Sequence, residues 1–487
     1  MLPEYLDQIY EDELYAEPVE QTMDIQLSSV MNILMIGVWV CICLIGLAVI
    51  FWGKSTLFGI YIIGISTFLG MVIKPTFGLC LMMMALPTAA GVGIWYMFSL
   101  ERGVGILLAI SFLLNLLLSR PRLQIRNKAM WIHIGFVMWV TISVLWATYF
   151  RLEVVRVFTQ VQLLTLALII YWIITINGIK TFYWSLRSYI LGTLGSVVLT
   201  LITGTAMAAT TTGGREVAEG RYMATVGAFT DPNMLAAIMG LAVFSAVYLL
   251  FQDKSKFWRG LYLVAILLLP LMILRTGSRG ALIAFIFTIT SPLLFARQTL
   301  RRPALIAILL LVTLIASVVT AFLVEAGGLT MGVLSRLTDV EYAKQGLAFR
   351  MLLVKEGISS IAKYPLGMSF YGWRAMGATG LVVHNDFFMV LVAYGIPGAA
   401  LFALYIVMVT ATVHRILLGP TKIFTRAVLI FLLVNGLSLL QMYDKFFWVF
   451  LVLVLVAQEL DQRNRSQTAM LAEKFGNVDY YSNYILE

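Results

Sequence analysis

Long apolar runs alternate with short polar breaks from residue 30 to residue 459, and the lengths of the runs decide the first reading. Crossing ~30 Å of hydrocarbon takes roughly 20 helical residues. Runs near that length cover 30 to 52, 55 to 73, 76 to 95, 104 to 118, 129 to 148, 157 to 176, 187 to 207, 233 to 251, 259 to 274, 280 to 296, 304 to 324, 384 to 412, 427 to 441 and 446 to 459. The pattern predicts an all-α, polytopic integral membrane bundle of about 12 to 14 transmembrane helices. The lower figure allows for Pro75 and Pro87, which interrupt the region from 74 to 118.

Two connections are longer than the rest, 208 to 232 and 325 to 383. The second is too long to be a mere connector. From Gln345 to Lys363 it carries Leu347, Phe349, Leu352, Leu353, Ile358 and Ile361 mostly on one helical side, with Arg350, Lys355 and Glu356 elsewhere. That spacing predicts a helix lying at the membrane interface. Pro365-Leu366-Gly367 and Tyr371-Gly372-Trp373 then return the chain to His384.

Composition agrees with the periodicity. A chain that is 61% hydrophobic and 12% charged has more apolar surface than a soluble domain buries, so lipid must be its solvent. Lys and Arg gather in alternate connections: Arg120, Arg122, Arg126 and Lys128; Lys180 and Arg187; Lys254, Lys256 and Arg259; Arg297, Arg301 and Arg302; Arg415, Lys422 and Arg426. The positive-inside bias makes that side cytoplasmic, with both termini inside and the two long connections outside. The net charge of +9 is spread over many loops and forms no single face, which argues against nucleic acid as a partner.

The first 29 residues hold many acids and no Lys or Arg, unlike a cleavable signal peptide. The expected organisation is an acidic cytoplasmic tail over 1–29, one membrane domain over 30–459 that includes the outer loops 208–232 and 325–383, and a cytoplasmic tail over 460–487. Cys41, Cys43 and Cys80 lie in apolar runs, so neither a disulfide framework nor a thiolate metal site is expected.

Polar groups on the outer side carry the candidate chemistry. His384 stands in Val383-His384-Asn385-Asp386-Phe387-Phe388, where an imidazole suits proton transfer near neutral pH and Asn385 or Asp386 could orient it. Arg275-Thr276-Gly277-Ser278-Arg279-Gly280-Ala281 is so tight a connection that both guanidiniums sit at the membrane boundary. Topological anchoring would explain one of them. Two, against the positive-inside trend, suggest an anion site, with backbone N–H groups at Gly280 open to the same ligand. Asp231 before Pro232 reads as a helix cap, leaving Arg221 and Asn233 as contacts to a polar substrate. In the long loop Arg350 either binds a substrate anion or snorkels to lipid phosphate, while Arg336 and Arg374 are weaker candidates, since solvated arginines are common in such loops. His133, inside a span, and His414, beside Arg415, are read as structural or interfacial, and the outer side lacks a cluster of zinc ligands.

Taken together these segments resemble the bacterial O-antigen ligase and polymerase family. The similar pieces are Arg221 with Gly227-Ala228-Phe229 and Pro232-Asn233; Ser278-Arg279-Gly280-Ala281; Arg350 followed by Tyr364-Pro365-Leu366-Gly367; and His384-Asn385 followed by Gly395-Ile396-Pro397-Gly398. The likeness covers residues 190 to 415. It departs where many relatives have an acid before the second glycine-containing turn, since Ala393-Tyr394 stand there.

The resemblance implies a metal-independent, inverting glycosyltransferase without a cofactor, set in the bacterial inner membrane with its site facing the periplasm. Its donor would be a polyprenyl-pyrophosphate-linked glycan and its acceptor a hydroxyl of another glycan, of lipid A core or of a protein. Arg279 and Arg350 would hold the pyrophosphate, with Arg221, Arg275 and Arg336 as secondary partners. His384 would be the base, and Asn233, Asn385 and Asp386 would contact substrate. A flippase of lipid-linked glycans shares the composition and topology, but transporters place polar sites near mid-membrane, often in duplicated halves. A membrane scaffold would not need its arginines and His384 to converge.

Overall fold

The computed structural model describes residues 56–88, 100–121, 123–202, 231–295, 340–376, 384–416 and 419–475, with parts of 37–48. Among these residues every regular element is helical. In chain order they are α1 (Thr56–Ile73), α2 (Pro75–Ala85), α3 (Leu100–Ser119), α4 (Lys128–Ile142), α5 (Phe150–Ile202), α6 (Pro232–Gln252), α7 (Lys256–Arg275), α8 (Arg279–Phe295), α9 (Val340–Lys363), α10 (Phe370–Met376), α11 (Asp386–Arg415), α12 (Pro420–Gly436) and α13 (Lys445–Phe475). Six stretches are long and apolar enough to cross a membrane: Glu101–Ser119, Lys128–Trp146, Phe150–Leu199, Pro232–Gln252, Lys256–Arg275 and Asp386–Arg415. This is an all-α polytopic membrane bundle.

The centre of the bundle is α13. From Phe446 to Ala457 every residue is buried, as a helix apolar all round requires. The helices around it turn their large apolar side chains outward to lipid; Leu117 and Leu145 are 73% and 81% exposed. Small polar groups satisfy backbone where helices break. At the bend between α1 and α2, Ser111 donates to the carbonyl of Met71 at 2.5 Å and Asn115 donates to that of Val72 at 2.7 Å.

Two expected spans differ from the sequence reading in an informative way. The loop expected between 176 and 187 is absent: α5 is helical on both sides of Gly178, whose φ of 78° and ψ of −165° break it. Its first arm meets the α12–α13 turn through a Gln160 donation to Met442 at 3.1 Å, and its second meets the far end of α6 through the Arg187–Asp253 pair at 2.5 Å. One residue therefore does the work of a loop, and Lys180 and Arg187 lie on helix. The expected span from 384 to 412 is likewise broken, at Gly395, into a short arm and a long one. The helix of α13 also continues past the predicted end of the membrane domain to Phe475.

Candidate functional site at the start of the broken helix

The break at Gly395 strips three successive carbonyls of their helical partners, and each finds another donor. Met368 N–H donates to Val392 at 3.1 Å, Ser369 N–H to Ala393 at 2.9 Å, and the Trp139 indole to Tyr394 at 2.8 Å. In return Ile396 N–H donates to Pro365 at 2.9 Å. The end of the long loop is thus laid against the gap in α11, where irregular backbone at membrane depth must be satisfied by protein.

Glycine makes this joint possible. A Cβ on Gly395 would lie 2.3 Å from the backbone at both Pro365 and Leu366, and one on Gly367 would lie 2.4 Å from the Ala393 carbonyl oxygen. Both residues have positive φ, 68° and 93°. The Tyr364-Pro365-Leu366-Gly367 and Gly395-Ile396-Pro397-Gly398 motifs are two sides of one backbone-to-backbone contact.

The short arm of α11 is fastened at its other end. Asn385, in extended conformation, caps the helix by accepting from Phe388 N–H at 2.9 Å and donates its amide to the Leu437 carbonyl at 3.1 Å. Asp386 is 1% exposed, and its Oδ1 accepts from the N–H groups of Gln441 and Met442 at 2.8 and 2.9 Å. His384, in contrast, is exposed. The two residues expected to orient the imidazole are instead tied to the turn between α12 and α13, the carboxylate turned inward while His384 stays at the surface.

The same turn receives the arginine-bearing connection. Thr276 donates to Ile273 at 2.7 Å and accepts from Ser278 N–H at 3.2 Å, while Ser278 Oγ accepts from Ala281 N–H at 3.4 Å and caps α8. Thr276 and Ser278 are buried, Arg275 and Arg279 half-buried. A Cβ on Gly280 would lie 2.1 Å from Ser438 Oγ, so the start of α8 rests directly on the turn. The small size of Gly280 serves a close approach, and of the N–H groups in the first helical turn that of Ala281 is used by Ser278. Gly280 and Asn385, the sequence neighbours of Arg279 and His384, thus meet one turn, at Ser438 and at Leu437.

Other expected site residues divide in three ways. Asp231 caps α6, accepting at Oδ1 from both the N–H and the side-chain amide of Asn233 at 2.9 and 2.8 Å. Arg221 and Arg336 lie outside the described residues. Arg350 is on α9, two turns before Gly357, and its side chain lies outside those described. Gly357 itself packs on Phe388 and Val392, so α9 is seated on the short arm of α11. Arg374 is exposed at the end of α10. His133 is buried and stacks on Trp448 at 4.1 Å between ring centroids, in keeping with a structural role.

Sequence reasoning missed three contributors. Glu153 accepts from Phe370 and Tyr371 N–H at 3.3 and 3.4 Å, holding the start of α10. Arg156 has its guanidinium 4.2 Å from the Phe370 ring and 4.9 Å from the Tyr443 ring. Their spacing of three residues at the start of an amphipathic span was the available signal. The third is Asp444, whose carboxyl is pushed well above the usual carboxylate range by burial and by the nearby Asp386 and Glu101, against the pull of Lys445.

Residues 263–403 match the family model described as O-antigen ligase. No curated protein matches the chain. The matched stretch contains the Arg275–Ala281 connection, the joint between Gly367 and Gly395, and His384, and it stops short of the α12–α13 turn on which these parts meet. Over residues 263–403, then, this multi-pass membrane protein is similar to the O-antigen ligase family.

Proposed function

We propose that the protein transfers a whole glycan from a polyprenyl-pyrophosphate carrier to a hydroxyl acceptor, at the outer face of a bacterial inner membrane. The observation that carries this reading is the shared turn: Gly280 rests on Ser438 while Asn385 is bonded to Leu437. The neighbours of a cation and of an imidazole, from distant parts of the chain, thereby meet adjacent residues of one turn, which supports a shared site.

In the proposed reaction His384 takes the proton of the acceptor hydroxyl as its oxygen bonds to the anomeric carbon of the donor's first sugar. The bond from that carbon to the pyrophosphate oxygen breaks, and its electron pair leaves with the pyrophosphate. Attack opposite the leaving group inverts the anomeric centre. Charge grows on the pyrophosphate as the bond breaks, so cations that tighten their hold at that moment lower the barrier. Arg279 and Arg350 fill that role, with Arg221, Arg275 and Arg336 as further contacts. Neither a metal ion nor an organic cofactor takes part in this scheme.

Acceptor identity decides the biological outcome: another lipid-linked repeat for a polysaccharide polymerase, lipid A core for an O-antigen ligase, a protein hydroxyl for an oligosaccharyltransferase. The family match favours the ligase among them. Purified protein incubated with a defined lipid-linked oligosaccharide, each class of acceptor and a chelator tests this by mass spectrometry. One acceptor gains the mass of the whole glycan, and free polyprenyl pyrophosphate appears. Recovery of intact donor with every acceptor, together with counterflow of labelled donor across liposomes, would replace transfer by transport.

A further inference from the structure

Where the first arm of α5 passes the end of the long loop, Arg156 lays its guanidinium among three aromatic rings, 4.2 Å from that of Phe370, 5.5 Å from that of Tyr371 and 4.9 Å from that of Tyr443. The first two rings belong to α10 and the third to the α12–α13 turn. Rings of this kind hold a cation without neutralising it. Glu153, one helical turn earlier, acts on the guanidinium only through space. Its carboxyl group is fully buried and accepts from the Phe370 and Tyr371 N–H groups, and the ion pairs among the described residues lie elsewhere, at Arg187–Asp253, Lys445–Glu101 and Arg465–Asp461.

Arg156 is half-buried, and among the described residues no carbonyl, hydroxyl or carboxylate accepts a hydrogen bond from it. Of its three nitrogens only Nε is closed off; the two terminal ones keep access to the surface, and a ligand would be held through them. A cation that has lost part of its water without gaining an acceptor is costly until an anion completes it. The guanidinium fork takes two oxygens of a phosphoryl group at once, and a fork already steadied by rings gives up little freedom in doing so. Its place fits the proposed site. Tyr443 follows Met442, whose N–H is bound by Asp386 at 2.9 Å, and the same turn is met at Leu437 by Asn385 and at Ser438 by Gly280. Lys445, at the start of α13, is already paired with Glu101 at 2.5 Å. Asp386 and Glu153, the acids facing this part of the turn, are each bonded to two backbone N–H groups, which offset their charge.

We propose that Arg156 is a further substrate-binding residue, whose open guanidinium takes phosphoryl oxygens of the donor's pyrophosphate beside the α12–α13 turn. The proposal rests on the reading of this face as the glycan-transfer site. The phosphate of a bilayer lipid offers the fork the same oxygens, and the test separates the two sources.

The test uses the full-length protein in detergent as wild type, Arg156→Lys and Arg156→Met. Lysine keeps a charge over the rings but has no planar fork; methionine keeps the apolar contact but has no charge. Binding of inorganic pyrophosphate is followed by calorimetry, KM is measured separately for lipid-linked donor and for acceptor, and phosphatidylglycerol retained through purification is counted by mass spectrometry. Pyrophosphate binds the wild type. Arg156→Met weakens that binding by about tenfold or more, as expected for loss of a charge-assisted hydrogen bond, and raises the KM of the donor but not of the acceptor. Arg156→Lys weakens it less, and decides the matter alone if the methionine variant does not fold. A residue that only braces α10 against the turn would lower the melting temperature and leave pyrophosphate affinity of the folded protein unchanged, which would overturn the proposal. Variants that lose bound phosphatidylglycerol but keep their pyrophosphate affinity would overturn it too, assigning the guanidinium to the bilayer. If glycan transfer proceeds while pyrophosphate binding is indifferent to Arg156, the anion contact falls and the transferase stands. Arg156-dependent pyrophosphate binding in a protein that transfers nothing leaves the contact standing and removes the transferase.

Discussion

Replacing Gly395 by alanine tests the joint between the long loop and the broken helix. The new Cβ would sit 2.3 Å from the Pro365 carbonyl oxygen and 2.5 Å from Gly367 N, both backbone atoms that cannot swing away. With φ at 68° and ψ at −169°, the residue occupies a region that only glycine enters freely. Forcing alanine there costs ~1–3 kcal/mol, and crowding a filled site adds ~1–3 kcal/mol. The sum, about 2–6 kcal/mol, is a large part of the roughly 5–15 kcal/mol that holds a folded protein together. The cheapest relief is to part the two backbones, which frees the loop end and unseats α9. Thermal unfolding in detergent and limited proteolysis of residues 340–376 read the two consequences: a lower melting temperature and new cleavage in α9 or α10. Gly135→Ala is the control, since its Cβ meets nothing within 4 Å and alanine gains up to ~1 kcal/mol in a helix. If Gly395→Ala melts with the wild type and resists protease equally, the joint does not hold the loop.

Two further predictions concern the α12–α13 turn. Asp386→Ala leaves the N–H groups of Gln441 and Met442 buried without an acceptor, a loss of about 1–3 kcal/mol for each; Asp386→Asn keeps an acceptor and loses less, so the melting temperatures should rank wild type, Asn, Ala. For Asp444 the sign follows from its raised pKa: the folded state holds this proton more tightly than the unfolded chain, so stability is lost as pH rises through the folded-state value. Asp444→Asn should therefore melt above the wild type at neutral and mildly alkaline pH. The difference should shrink as pH falls towards the unfolded-state pKa of ~4, and a difference that instead grows on acidification contradicts the assignment.

How much of this was legible in the sequence depends on which physical signal each part leaves. Membrane spans announce themselves by length and hydropathy, and the Asp231-Pro232 cap by residue type, because both are local. The break near Gly178 shows in the sequence as a more polar stretch from 177 to 186, but hydropathy does not distinguish a loop from a helix that resumes after one glycine. Arg279 and His384 stand out because ionisable groups next to spans need a reason. The turn that their neighbours Gly280 and Asn385 meet does not, because it works through the Leu437 carbonyl, two backbone N–H groups and the Ser438 side chain. Adjacency alone makes Asp386 a partner for the imidazole. Its true partners are 55 and 56 residues away in the chain, a distance only the fold reveals. Gly367 and Gly395 belong to separate motifs in the sequence; that they are one contact follows from backbone approach, which a residue string does not encode.

In the proposed reaction an imidazole and a guanidinium meeting on one turn carry out glycan transfer. The decisive quantity is the rate of transfer from a defined lipid-linked glycan by wild type, His384→Ala and Arg279→Ala, each first matched for melting temperature. Loss of a general base predicts a fall of about 10²–10⁴-fold for the first variant, and loss of a charge-stabilising donor about 10²–10³-fold for the second. Transfer at the wild-type rate by His384→Ala would refute the proposed chemistry.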